Sequence, residues 1–302
     1  MAKPEIAAVL ALGSALCIAI GDVLQQRAAY SMDRSLGQVA VLTGLLRNRR
    51  WWWGALLLLA SIGLQAAALG QGSVLLVQAL LMFSVLFALP INARVYRRTM
   101  SGKEWLWAGL LTAAVTVIVT LGNPQAGRSS APLQTWAEVA CVVGPLSIIC
   151  VVAGRMWGGS AAAVLFALVS GSLWGVFAVL TKEVMARLGQ GLPGVLATPA
   201  LYACALAATG GVMLSQAAFH AGSLTASMPA LQVSQPVVAA VLGVVVLDET
   251  LNTGRAGLIV IYLALALTAV AIFRLARIDA VATRRQVHRR LRGGRPLVAT
   301  RH

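Results

Sequence analysis

Apolar residues run along this chain in nine long blocks, separated by short polar stretches. The blocks cover residues 5–29, 51–70, 72–96, 105–122, 134–153, 160–182, 198–218, 223–247 and 255–274. A helix needs about 20 predominantly apolar residues to cross the hydrocarbon core of a bilayer. Each block is close to that length. The pattern predicts an all-α polytopic membrane protein of about nine transmembrane helices. Some connections must turn at once. Gly70-Gln71-Gly72 joins the second and third blocks, and His220 to Ser223 joins the seventh and eighth. Glycine permits the backbone geometry that such turns require.

Composition excludes the alternatives. Hydrophobic residues make up 59% of the 302-residue chain and charged residues 11%, against about 25% charged in a soluble domain. Mean hydropathy is +0.83. No polar stretch is long enough to enclose a soluble core. Cys17, Cys141, Cys150 and Cys204 all fall in apolar blocks and form no C-x-x-C pair, so they read as small buried hydrophobes. The N-terminus mimics a signal peptide, but no clean small-x-small cleavage site follows the first block, which reads as a membrane helix.

The net charge of +15 is explained by its placement. With the N-terminus outside and the C-terminus inside, the inner segments hold 19 of the 24 basic residues. Five lie in the first loop, four around Arg94 to Lys103, one at Arg155 and nine from Arg274 to Arg301. This is the positive-inside pattern. Trp51, Trp52, Trp53, Trp105, Trp107 and Trp157 stand at expected inner ends, and Trp136 at an outer end. Tryptophan anchors helices at such interfaces. Near anionic lipid headgroups each tail arginine gains about 1 kcal/mol. A nucleic-acid arm is not expected, because no aromatic residues interleave the arginines.

Internal repetition follows the same layout. Gln65–Leu80, "QAAALGQGSVLLVQAL", resembles Gln216–Leu231, "QAAFHAGSLTASMPAL", and Asp22–Arg27 aligns with Ala178–Glu183. Spans one to four match spans six to nine, and the fifth connects them. The odd connector inverts the second quartet. Four units follow: a first repeat at 1–122, a connector with the fifth helix at 123–159, an inverted repeat at 160–274 and a basic inner tail at 275–302. Inverted repeats are a signature of secondary transporters, whose substrate site lies between the repeats near the midplane.

Gly222 to Leu265, "GSLTASMPALQVSQPVVAAVLGVVVLDETLNTGRAGLIVIYLAL", resembles the EamA-like pattern of the drug/metabolite transporter superfamily. That pattern has a Gly-Ser turn, a helix with a central proline, an acid at its end and a glycine in the last helix. Pro236, Glu249 and Gly257 fill those places. The nine-span layout, with a charged stretch before Arg49–Leu80, is similar to the NIPA-type branch, whose members are described as magnesium transporters. The first half departs from the pattern. Arg97-Arg98 stand where the acid should be, and Pro90 comes late.

Polar groups inside spans are costly and tend to face the bundle interior or water. Asp22 is the acid placed well inside an expected span. Gln25 and Gln26, at i+3 and i+4, share its face. The group reads either as a titratable or cation-binding site, or as a structural acid paired with a nearby arginine. The superfamily resemblance adds an analogy: small multidrug resistance relatives use an acid in the first helix to exchange protons and cationic drugs. In the eighth span Thr225, Pro229, Gln232 and Pro236 fall on one face, with Gln235 beside them. Each proline frees a carbonyl four residues back, and broken backbone is tolerated where it lines a cavity. Gln78 is the counterpart in the third span, where Pro90 is the expected kink. Trp174 could stack on a ligand cation or pack in the core. Lys182-Glu183 and Asp248-Glu249 are expected as solvated end charges, with an outer gate or cation-attracting rim as the alternative.

No H-E-x-x-H, G-x-S-x-G or Walker loop appears, so enzymatic activity is not expected. No cofactor is expected either, and a proton is the candidate coupling ion. The sequence reads as a secondary transporter of a small organic solute working by alternating access, with Asp22 carrying a proton or pairing with an amine. A magnesium or other divalent-cation transporter is the alternative, although Mg²⁺ prefers an octahedron of carboxylate and water oxygens. A second alternative is a scaffold whose basic tail binds lipid or a partner. The expected location is the plasma (cytoplasmic) membrane, with the lipid bilayer as the constant partner.

Overall fold

The computed structural model describes residues 3–30, 49–95, 99–221 and 224–292. Nine helical stretches among them are long and apolar enough to cross a membrane. They match the nine expected blocks in order and position. The elements are α1 (Pro4–Tyr30), α2 (Arg49–Gln71), α3 (Val74–Leu81), α4 (Phe83–Val95), α5 (Gly102–Gly122), α6 (Leu133–Trp157), α7 (Gly159–Arg187), α8 (Gly191–Leu196), α9 (Pro199–Ala221), α10 (Leu224–Leu247) and α11 (Arg255–Arg292). Two short strands, β1 (Pro124–Gln125) and β2 (Thr250–Leu251), pair antiparallel between the loops after α5 and α10.

The third span is two helices. Its break falls at Met82, where the N–H donates to Ala79 O at 3.3 Å and the carbonyl accepts from Val85 N at 3.2 Å. These are three-residue steps, the tighter 3-10 bonding that often marks a hinge within a helix. The expected kink at Pro90 lies inside α4, which runs on as helix, and its ring is exposed.

The helices pair in a regular way. α1 packs on α2 and on both halves of the third span, as α7 packs on α9 and α10; α5 packs on α11. α6 lies against α7 and is otherwise exposed, with Val142, Leu146, Ile148, Ile149 and Met156 on its surface. Buried serines tie the first helix of each quartet to the second. Ser14 Oγ donates to Ser61 O at 2.8 Å. Ser170 Oγ donates to Gly211 O at 2.7 Å and lies 2.6 Å from Ser215 Oγ. Interhelical hydrogen bonds of this kind contribute about 0.6 kcal/mol each in a membrane.

Gly171 and Gly175 form a small-xxx-small stripe that brings α10 against the backbone of α7. A Cβ on Gly175 would lie 2.8 Å from Gln235 O and 2.9 Å from Ala239 N, and one on Gly171 would overlap Ser234 Oγ.

The core packs in several buried clusters. At one end Ala7, Ala11 and Ala15 of α1, Leu69, Val74 and Val77 join Val179 of α7 and Leu242 and Leu247 of α10 in one buried cluster. That cluster seals the first four spans against the second four. A second buried cluster joins Ala79, Leu89, Ala108 and Leu111 of the first four spans to Ala264, Ala271, Ile272 and Leu275 of α11, and Ala162, Phe166, Ala167 and Ala218 form a third within α7 and α9, flanked by α6 and α10. Among the described residues, α10 packs substantially on α3, the half of the third span at the sealed end, and not on α4.

Candidate functional site

The sealed end carries the charges that the sequence reading placed in solvent. α10 stops at Leu247 and Asp248 takes a left-handed conformation, φ +51°, which turns the chain back. The N–H of Glu249 then donates to Gly243 O at 3.0 Å. The reversal is held from outside. Arg128 N–H donates to Leu247 O at 2.6 Å, and the Arg128 side chain pairs with Asp248 at 2.7 Å on the surface. The β1–β2 ladder clips the same two loops one step further on.

This turn drives Glu249 inward. It is 1% exposed. Its Oε1 accepts from Val74 N at 2.7 Å and its Oε2 from Leu75 N at 3.0 Å. Those are first-turn N–H groups of α3, which have no partner within the helix and carry the positive end of its dipole. Ser73 caps the same end, its Oγ accepting from Leu76 N at 3.1 Å. Lys182 of α7, 6% exposed, completes the arrangement, with Nζ 2.5 Å from Glu249 Oε1. Gly243 leaves room for the carboxylate, since a Cβ there would lie 3.0 Å from Oε2. A buried carboxylate is tolerable only when paired and hydrogen-bonded, and here both oxygens are used.

Glu183 turns the other way. It is buried and its Oε2 accepts from Trp136 Nε1 of α6 at 3.0 Å. The expectation of solvated end charges is thus corrected for Lys182, Glu183 and Glu249; Asp248 is exposed as expected. The physical reason is that α7 does not end near residue 182 but continues to Arg187. The two charges therefore sit within a packed helix, flanked by Val179, Leu180 and Val184. The apolar residues on both sides of Lys182-Glu183 were the available signal. Nothing local announces Glu249, which is buried by a turn and by three other segments.

The opposite end holds Asp22. On α1 the lipid-side stripe is Ile6, Val9, Leu12 and Leu16, all exposed. The opposite face carries Ala11 and Ala15, both fully buried, then Ile18 packed against the core, and then Asp22 at i+11. Residues with this spacing share a face. Asp22 therefore projects on the interior face, yet it is exposed. Ala19 and Val23 beside it are buried, so the accessible point on this face is Asp22 itself.

The other candidate residues divide. Gln78 is 2% exposed and its Nε2 has no hydrogen-bond partner; buried Gln65 is in the same state. Buried orphan donors of this kind call for water or a ligand. Gln232 and Gln235 are half-buried on α10. Pro236 is buried and lines a small apolar crevice with Met82, Val233, Leu265 and Thr268. The crevice lies beside the Met82 break. Trp174 packs edge-on to Phe177, ring centres 5.3 Å apart, and lies against Gly211 of α9. Gln25, Gln26, Thr225 and Pro229 lie in helices, with side chains outside those described. Among the described residues no three of His, Cys, Asp and Glu converge to hold a metal ion.

Fold and composition define a multi-pass helical membrane protein in contact with the lipid bilayer. The chain is 35% identical over 253 residues to an uncharacterized protein of Corynebacterium glutamicum, a match covering 81% of this chain and 85% of that one. It belongs to the same family. No protein-family model matches the chain, and no solved structure matches it.

Proposed function

We propose that the protein is a secondary transporter of a small organic solute, working by alternating access in the plasma membrane, with Asp22 in a vestibule open to the inner side. The observation that carries this reading is Asp22 on the interior face of α1, exposed between buried Ala19 and Val23. An accessible acid among buried neighbours on an interior helix face is what a proton or solute path through a bundle requires. The orphan amides of Gln78 and Gln65 supply donors for a polar solute near the sealed side. Asp22 is the titratable group at the vestibule, able to carry a proton or pair with an amine.

The inverted repeat belongs to the same reading. Aligning Asp22 with Ala178 also places Ser14 opposite Ser170, and each hydroxyl donates to a carbonyl of the second helix in its own quartet. That correspondence supports two related halves. Membership of the drug/metabolite transporter superfamily, EamA-like with a NIPA-type layout, rests on the sequence pattern described above.

The test is thermal stability of the purified protein against a panel of amines, amino acids, nucleosides and divalent cations, with wild type and Asp22→Asn compared. A ligand at 100 times its dissociation constant stabilises by about 2.7 kcal/mol if it binds only the folded state. Stabilisation by an organic solute, reduced in Asp22→Asn, is the expected result. Stabilisation by Mg²⁺ alone would replace this reading with divalent-cation transport. No stabilisation by any member, together with solute-tight proteoliposomes, would sink transport in favour of a membrane scaffold.

A further inference from the structure

We propose that Glu249 is the releasable latch of the sealed end, fastening the second four spans to the first by capping α3 while Lys182 of its own half positions the carboxylate. The proposal rests on the alternating-access reading and identifies the part that must come undone. Its parts come from different bodies. Glu249 follows α10 and Lys182 belongs to α7, whereas the Val74 and Leu75 N–H groups open α3. Separating the two sets of spans at this end must break the two α3 bonds, while the Lys182 pair stays within the second set and holds the carboxylate in place.

The chemistry suits release better than an apolar plug would. A buried ion pair roughly breaks even against water, because the attraction is offset by the cost of desolvating both charges. When water enters, the carboxylate, the ammonium and the α3 N–H groups can all be hydrated. An apolar contact of equal size loses its whole contribution on opening. The carboxylate on α3 therefore fixes the closed geometry, while the surrounding apolar cluster supplies most of the energy that opposes opening. The Glu249 backbone also has a built lever. Asp248 in its left-handed turn and the β1–β2 clip carry the residue on a short strap between α10 and α11.

The experiment is impermeant thiol labelling of the full chain in membranes, with Cys17, Cys141, Cys150 and Cys204 replaced by alanine. Val77→Cys, one turn below the latch and fully buried, reports the sealed end. Ile18→Cys, one turn from Asp22 on the same face, reports the open end. In Glu249→Gln and in Lys182→Met, Val77→Cys labelling is expected to rise about tenfold, the change that about 1.4 kcal/mol in the opening equilibrium produces. Ile18→Cys labelling is expected to fall in step. Unchanged Val77→Cys labelling in both variants would overturn the latch. A rise at Val77→Cys with no change at Ile18→Cys would uphold the latch and instead refute alternating access. Size-exclusion profiles establish that each variant is folded; if Glu249→Gln is not, Lys182→Met and Glu249→Asp carry the same readout.

Discussion

Glu249 and Asp22 are both carboxylates on the interior side of a membrane helix bundle, at opposite ends, and their surroundings are opposite. Glu249 is enclosed by Lys182, two α3 N–H groups and the floor left by Gly243. Asp22 stands on the interior face of α1, exposed between buried Ala19 and Val23. The difference teaches that burial of an acid here follows from which partners the fold delivers, not from depth along a helix. Glu249 lies just past a helix end and is buried. Asp22 lies well inside an apolar block and is exposed. At Glu249 the approaching groups are opposite in sign.

The contrast can be broken most severely at Glu249. Glu249→Ala leaves Lys182 and two helix N–H groups buried without their acceptor, and removing one partner of a buried pair costs about 3–5 kcal/mol. Denaturation in detergent is expected to show that loss. The double variant Lys182→Met/Glu249→Met should be less destabilised than Glu249→Ala, because no unpaired charge remains. If the two are equal, the pair is not an interacting unit.

Next in size is the seam between α7 and α10. Gly171→Ala places a Cβ on Ser234 Oγ and close to Leu231 O, and overpacking of this kind costs about 1–3 kcal/mol. Gly144→Ala, on the exposed face of α6 with nothing within 4 Å, is the control and should leave the melting temperature unchanged or slightly raised. Equal effects at the two glycines would refute the close approach.

Smaller effects probe the likeness of the halves. Ser14→Ala and Ser170→Ala each remove an interhelical hydrogen bond, expected at about 0.6 kcal/mol, with Ser170 somewhat costlier because it also meets Ser215. A large loss at one and none at the other would argue against equivalent roles. The smallest stability effect is expected at Asp22. A surface substitution changes stability by within about 0.5 kcal/mol, so Asp22→Asn should melt with wild type. A large change would mean that Asp22 is a structural partner.

Much of the fold was legible because hydrocarbon imposes a strong rule. Every spanning backbone must satisfy its own hydrogen bonds, so apolar blocks of the right length become helices. The nine spans, the Gly70–Gly72 turn and the interior orientation of Asp22 follow from that rule and from helical periodicity. Three things were not legible. The helix break at Met82 was not announced, since backbone bonding and packing set the local conformation there. The β1–β2 clip joins segments about 125 residues apart, and two-residue strands leave no periodic trace. Lys182 and Glu249 looked like end charges because a sequence shows a charge and its neighbours but not a partner 67 residues away.

The sequence by itself determined that this chain lives in a bilayer, how many times its apolar blocks can cross it and which face of the first helix turns inward. Those properties depend on composition and on spacing within one element, which local physics decides. The tertiary structure decided which charges are buried, which end is sealed and where the third span breaks. Those depend on the meeting of separate helices, where a carboxylate is stable only if other parts of the chain bring it an ammonium and free N–H groups.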